Sequence, residues 1–171
     1  MAETFRIEGT HLVYGSNFGG DPKNKYVNYP TVDRKGNIAI SDPDILNRMA
    51  ELGVRIGETQ PSDPERYEPE RFVNINIRYH GEENDPRVYL VTNGKRVLLA
   101  PESLGTIDRL NKRGGSNSAI EKVNCIVNTW RKDDEHATSL WVNTMYVYQK
   151  TDNDPWASMF NDAEDNEEDP F

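Results

Sequence analysis

The chain has 171 residues, 35% of them hydrophobic and 29% charged, with a net charge of −9. That length fits one domain with a core and appendages, and the composition stands at the polar edge of globular proteins without reaching the disordered class. Cys125 is alone, so no intramolecular disulfide forms; the absence of an apolar run near ~18 residues and of a basic-then-apolar leader argues against a membrane span or a secreted chain.

In chain order, "FRIEGTHLVY" (5–14) reads as a strand kinked at Gly9, because glycine inside a strand marks a bulge or sharp bend. "GSNFGGDPKNK" (15–25) is a polar loop with one ring, Phe18. "YVNYPTVDRKGNIAI" (26–40) predicts a second extended segment, interrupted by Pro30 and turning at Arg34 to Asn37. The best helix follows in "SDPDILNRMAELG": Ser41 is the expected cap, Asp42 and Asp44 sit at the positive end, Pro43 suits the first turn and Gly53 the stop. Its apolar stripe is Ile45, Leu46, Met49 and Leu52. "VRIGE" reads as a short strand, and 59–70, with three prolines, as a loop.

"FVNINIRY" (72–79) alternates, placing Val73, Ile75, Ile77 and Tyr79 on the core face and Phe72, Asn74, Asn76 and Arg78 on a polar one. "RVYLVTNGKRVLLA" is a hairpin signal around Asn93-Gly94, a dipeptide suited to a type I′ turn. "PESLGTIDRL" reads as a short helix or turn and 111–118 as a loop. "AIEKVNCIVNTW" and "TSLWVNTMYVYQ" form the last pair of strands, joined by "RKDDEH", with Cys125 a small buried hydrophobe. Five to seven strands around one good helix, without alternating βα units, fit a mainly β chain that closes or half-closes into a small barrel over residues 1–150.

Beyond Lys150 the pattern ends. Residues 151–171 hold eight acidic groups and no Lys or Arg, which leaves 29 − 8 = 21 acidic against 20 basic groups in residues 1–150. The body is near neutral, and 151–171 is expected to be a disordered acidic tail. Diffuse charge serves solubility without a ring, so the close "EEDPF" poses a separate question. Glu167, Glu168, Asp169, Pro170 and Phe171 form an expected docking signal, in which a terminal ring enters an apolar pocket with a basic rim on a partner.

Motifs that carry reaction chemistry are missing. His11, His80 and His136 lack metal-ligand spacing, there is no phosphate-binding glycine loop, and the acidic stretches lack the glycine and spaced glutamate of a calcium loop. No metal, no cofactor and no enzyme activity is expected. What the polar segments carry instead is rings interleaved with cations: Phe18, Lys23, Lys25, Tyr26 and Tyr29; Arg34 and Lys35; Phe72 and Arg78; Arg87 and Tyr89; Trp130, Arg131, Lys132 and Trp141. Single-stranded nucleic acid is held by this combination, since every base offers a π-face and every phosphate a charge. Core packing is the commoner fate of any one ring, and Tyr79, Met145 and Tyr146 read as core. Phe18 stands out because no strand pattern packs it.

Several segments together resemble tailed-phage single-stranded-DNA-binding proteins: "FRIEGTHLVYGSNFGG", "RVYLVTNGKRVLLAPES", "GGSNSAIEKVNCIVNTW", "RKDDEHATS", "LWVNTMYVYQ", and then "DPW" before an acidic stretch ending in Phe. The resemblance implies an OB-fold over 1–150 and sequence-independent binding of single-stranded DNA in replication, recombination and repair. It further implies an acidic tail, 151–171, that recruits replication proteins such as a polymerase, helicase or primase, in the cytoplasm of an infected cell. By position, Phe18 to Tyr29, the polar face of 72–78 with Asn76, Tyr89, Trp130 to Lys132 and Trp141 would line the groove. A homodimer and RNA binding stay open. The rival reading, an acidic interaction module that mimics DNA toward a nucleic-acid enzyme, calls for acid spread over the body, whereas here it is gathered at one end.

Overall fold

Residues 3–13, 18, 34–61, 63–79, 85–111 and 119–150 are described by the computed structural model of the protein. Among them, eight strands and two short helices follow in the order β1 (Thr4–Thr10), β2 (Arg34–Ala39), α1 (Pro43–Glu51), β3 (Gly57–Glu58), β4 (Arg71–Ile77), β5 (Arg87–Thr92), β6 (Lys95–Leu98), α2 (Gly105–Leu110), β7 (Ile120–Trp130) and β8 (Ser139–Gln149). The chain is mainly β, as expected.

Strand pairing turns these elements into a ring. β1 pairs antiparallel with β7, β7 with β8, β8 meets β4 in parallel, and β4 pairs antiparallel with β2. The ring is closed by the continuation of β1 beyond Gly9. There Leu12 stands opposite Ile38, the Val13 amide donates to the Asn37 carbonyl at 2.9 Å, and the Ala39 amide donates to His11 at 3.0 Å. Five strands with this connectivity are the OB-fold arrangement. Gly9 makes it possible: its φ of +66° lies where glycine is at ease, and its amide, turned out of the ladder, donates to Asn124 Oδ1 at 2.7 Å.

Period-2 alternation sends one side of each strand inward. Phe5, Ile7, Ile38, Val73, Ile75, Ile77, Val123, Cys125, Val127, Leu140, Met145 and Val147 form one buried cluster, to which α1 adds Leu46 and Met49 and α2 adds Ile107. The β5–β6 hairpin extends the sheet outward from β8, with Val88 opposite Met145 and Tyr89 opposite Tyr146. Its turn is the Asn93-Gly94 pair, at φ +53° and +81°, as a type I′ turn requires.

The short helix or turn expected at 101–110 is present as α2. Three expectations need correction. The cap of α1 is Asp42, whose Oδ1 accepts from the Asp44 amide at 2.9 Å, one residue later than Ser41. Residues 34–37 do not turn: Arg34 to Ala39 run straight along β4 from Ile77 to Phe72. The third concerns Phe18, which is fully buried. Gly36 faces the barrel interior, and the side chain it lacks is the room the Phe18 ring takes: a Cβ there would stand 2.2 Å from the ring's Cζ. The Phe18 amide is anchored to Asp108 Oδ1 at 2.9 Å. The ring therefore plugs the core and offers no face to a base.

Burial also sets an acid–base limit. The Cys125 thiol is pushed up to about 12, and the half-buried Tyr79 phenol to about 12, in both cases first by loss of water. Each is held neutral in the fold but ionises near ~8.5 and ~10 in the unfolded chain. Between those values the unfolded state releases protons that the folded state keeps, so stability falls as pH rises. The urea midpoint is expected to be insensitive to these two groups below about pH 8.5 and to decline above it. Cys125→Ala should remove the first part of that decline. In the folded protein at pH 8 a disulfide reagent should label Cys125 no faster than the protein unfolds.

Candidate nucleic-acid interface

Charge is distributed unevenly between the sheet and its connections. The strands carry Arg6, Arg34, Lys35, Arg71, Arg87, Lys95, Arg96 and Lys122 against Glu8, Glu58 and Glu121, eight minus three, a net of +5. β2, β4, β5, β6 and β8 contain no Asp or Glu at all. The near-neutral body thus keeps its carboxylates in helices, loops and the remaining strands.

β8 provides the organising line. Its inward residues are Leu140, Val142, Met145 and Val147, which leaves Trp141, Tyr146 and Tyr148 on the outer side. Each of these rings meets a cation from a different neighbour. The Arg78 guanidinium, just past β4, lies 4.7 Å from the Trp141 ring centroid; Arg96 of β6 lies 5.6 Å from Tyr146; Lys122 of β7 lies 4.7 Å from Tyr148. Tyr89 joins the second of these, edge-on to Tyr146 at 5.0 Å and 5.7 Å from Arg96. Around Trp141 the outer face continues with Lys35 and Asn37 of β2 and with Asn74, whose amide donates to the Gly36 carbonyl at 3.1 Å. Polar hydrogen-bonding groups, cations and ring faces stand together there, without a carboxylate on β2, β4 or β8.

The expected residues divide on this geometry. Trp141 and Arg78 come together, with Lys35 on the adjacent strand. Trp130 is 57% exposed at the end of β7, and Lys132 is exposed in the turn after it. Arg131 is committed to that turn: its Nε donates to the carbonyls of Asp133 and His136, both at 2.9 Å, and its Nη2 to that of Asp134 at 3.0 Å. His136 Nδ1 also hydrogen-bonds Asp133 at 2.6 Å, which holds that carboxyl below its usual range. Thr138 ties the turn's far end to the residues just past α1, its amide donating to the Gly53 carbonyl at 2.9 Å. The loop is thus braced before any ligand arrives.

Other expected residues are placed in supporting roles. Asn76 is buried and donates to the Leu140 carbonyl at 3.1 Å, clamping β4 to β8 where a single pair, Asn76 and Trp141, is in register. Phe72 lies over Gly57, whose absent Cβ would stand 2.5 Å from the ring, and is half-buried. Arg34 packs on Tyr79 at 5.7 Å, and Tyr89 is buried beneath Arg96. Lys23, Lys25, Tyr26, Tyr29 and the tail residues Glu167, Glu168, Asp169, Pro170 and Phe171 lie outside the described residues.

No family model matches the sequence, and no curated protein matches it. Solved structures do resemble it. One is gp2.5, a single-stranded DNA-binding protein encoded by bacteriophage T7, at 12% identity and a TM-score of 0.44 over 98% of each chain. Another is the single-stranded DNA-binding protein of bacteriophage Enc34 with a C-terminal truncation, at 13% identity and a TM-score of 0.44, covering 90% of this chain and 87% of that one.

Sequence reasoning missed Arg96, Lys122, Tyr146 and Tyr148. The hairpin signal was legible, but the parallel pairing of β5 with β8 that brings Arg96 to the tyrosines joins residues 57 apart, such as Tyr89 and Tyr146, and no local pattern announces it. The one available sign was the alternation in "MYVYQ", which puts Tyr146 and Tyr148 together on the face opposite Met145 and Val147. Among the described residues no helix is long and apolar enough to cross a membrane, and no cluster of three or more His, Cys, Asp or Glu side chains is arranged to hold a metal.

Proposed function

We propose that the barrel binds single-stranded DNA without sequence preference along the outer side of β8, and serves DNA replication, recombination and repair in a phage-infected cell without catalysing a reaction. The observation that carries this reading is the line of three rings, Trp141, Tyr146 and Tyr148, each against its own cation, on a strand, β8, that has no carboxylate. Rings accept any base by stacking, at ~1–3 kcal/mol each, and the cations neutralise phosphates, so neither part discriminates sequence. The strand is bound and trapped as it opens, which favours melting of duplex by mass action alone.

In this reading, residues 151–171 supply two further functions. Their eight carboxylates compete with DNA for the same cations, and the "EEDPF" segment, once displaced, docks a replication protein through Phe171. Fluorescence anisotropy with labelled oligo-dT and a matched duplex tests the reading. Binding to the single strand is expected at 50 mM salt, an approximate low-salt condition at which phosphate contacts are strong. Absence of binding there would overturn the reading. Deleting 151–171 should tighten binding at low salt, and unchanged or weaker binding would sink the competition. Phe171→Ala should lose the partner while leaving oligo-dT binding intact.

A further inference from the structure

Tyr89 and Tyr146 are on the outer side of the sheet, yet they are only 6% and 2% exposed. Their in-register neighbours explain part of this, since Val91 and Tyr148 flank them in one small cluster separate from the barrel core. The rest is Arg96. Its guanidinium lies 5.7 Å from one ring and 5.6 Å from the other, and its Nη1 donates to the Tyr146 hydroxyl. Arg96 belongs to β6, which pairs with β5 alone among the described strands. Immediately beside this covered pair the sheet leaves apolar surface in water: Leu98, opposite Tyr89, is 57% exposed. A cation over two rings, latched by one phenol and carried on a marginal strand, fills the place where a base would stack.

We infer that the Tyr89–Tyr146 pair is a base-stacking subsite held shut by Arg96 in the free protein, and that single-stranded DNA opens it. This rests on the proposed binding of single strands along β8. On opening, the guanidinium leaves the rings for a phosphate, and a base takes its place against the tyrosines and Leu98. The exchange keeps the charge of Arg96 in use in both states, by cation–π contact when closed and by an ion pair with the backbone when open. The closed state reduces apparent affinity by the fraction of molecules that are open, so removing the latch alone should speed binding.

Tyr146→Phe isolates the latch, because it keeps the ring and deletes only the hydroxyl that accepts from Arg96. In stopped-flow mixing of full-length protein with labelled oligo-dT, this variant is expected to associate roughly three- to tenfold faster than wild type, the range for one lost hydrogen bond, with the same salt dependence. Arg96→Ala should also associate faster but dissociate faster too, and its slope of log affinity against log salt should shrink by ~0.7, the contribution of one phosphate contact. Tyr146→Leu, which loses the ring, should weaken binding. A Tyr146→Phe association rate equal to wild type overturns the lid, as does an Arg96→Ala variant that associates more slowly, since Arg96 would then be a plain phosphate contact. Wild-type protein that ignores oligo-dT overturns the DNA reading and the lid together, a result distinct from failure of the lid alone.

Discussion

Phe18→Ala is expected to destabilise the fold by about 3–5 kcal/mol, the range for emptying a buried aromatic site. The ring is fully buried and occupies the space that Gly36 leaves on the inner side of β2, and the backbone of the same residue is tied to Asp108 of α2. Phe18 thus joins the barrel wall, through its ring, to the second helix, through its amide. Urea unfolding measures the loss. At temperatures where the variant stays folded, its affinity for oligo-dT should remain within about twofold of wild type, because no stacking ring has been removed from the outer face. Lost affinity with unchanged stability would return Phe18 to the binding surface. Gly36→Ala adds a control: its new methyl meets the Phe18 ring, so it should be costly alone and much less so in the Phe18→Ala background, a coupling that two independent sites lack.

Trp141→Ala should carry the largest single loss in DNA binding, about 1–3 kcal/mol, or roughly 5- to 150-fold in affinity. Trp141 sits where the outer faces of β4 and β8 meet, half-exposed, with Arg78 at 4.7 Å and Asn76 in register beside it. Removing the ring takes away a stacking surface and leaves every cation in place, so the salt dependence should keep its slope. Arg78→Gln should behave in the opposite sense, with a smaller loss at high salt and a slope reduced by ~0.7. Salt titrations of both variants against labelled oligo-dT separate the two contributions. Wild-type affinity in Trp141→Ala would remove the centre of the proposed interface.

Much of the barrel can be read locally because its signals are local. Alternation in 72–79 sorted Val73, Ile75 and Ile77 from their polar neighbours, Asn93-Gly94 announced its hairpin, and Gly9 marked the kink that lets one strand serve two partners. Each of these depends on residues two to four apart, the distance over which pleat and turn geometry act. The helix cap shows the margin of such reading: Ser41 and Asp42 are both good caps, and the path of the backbone chose the second.

The functional face is a different matter. By itself the sequence determined that the chain is mainly β, that its acid is concentrated in 151–171, and that rings and cations alternate along its polar segments. Only the tertiary structure decided which rings face out. Phe18, the most conspicuous ring in a polar loop, went inside because Gly36 offers it a space that exists only once β2 is part of a barrel wall. Tyr146, read as core, is buried on the outer side instead, beneath an arginine from β6. A side chain's burial is set by what packs against it from distant strands, and the pairings of β5 and β4 with β8 join residues more than fifty apart. Composition records which residues are available for stacking and neutralisation; strand closure alone selects those that water, and a nucleic acid, can reach.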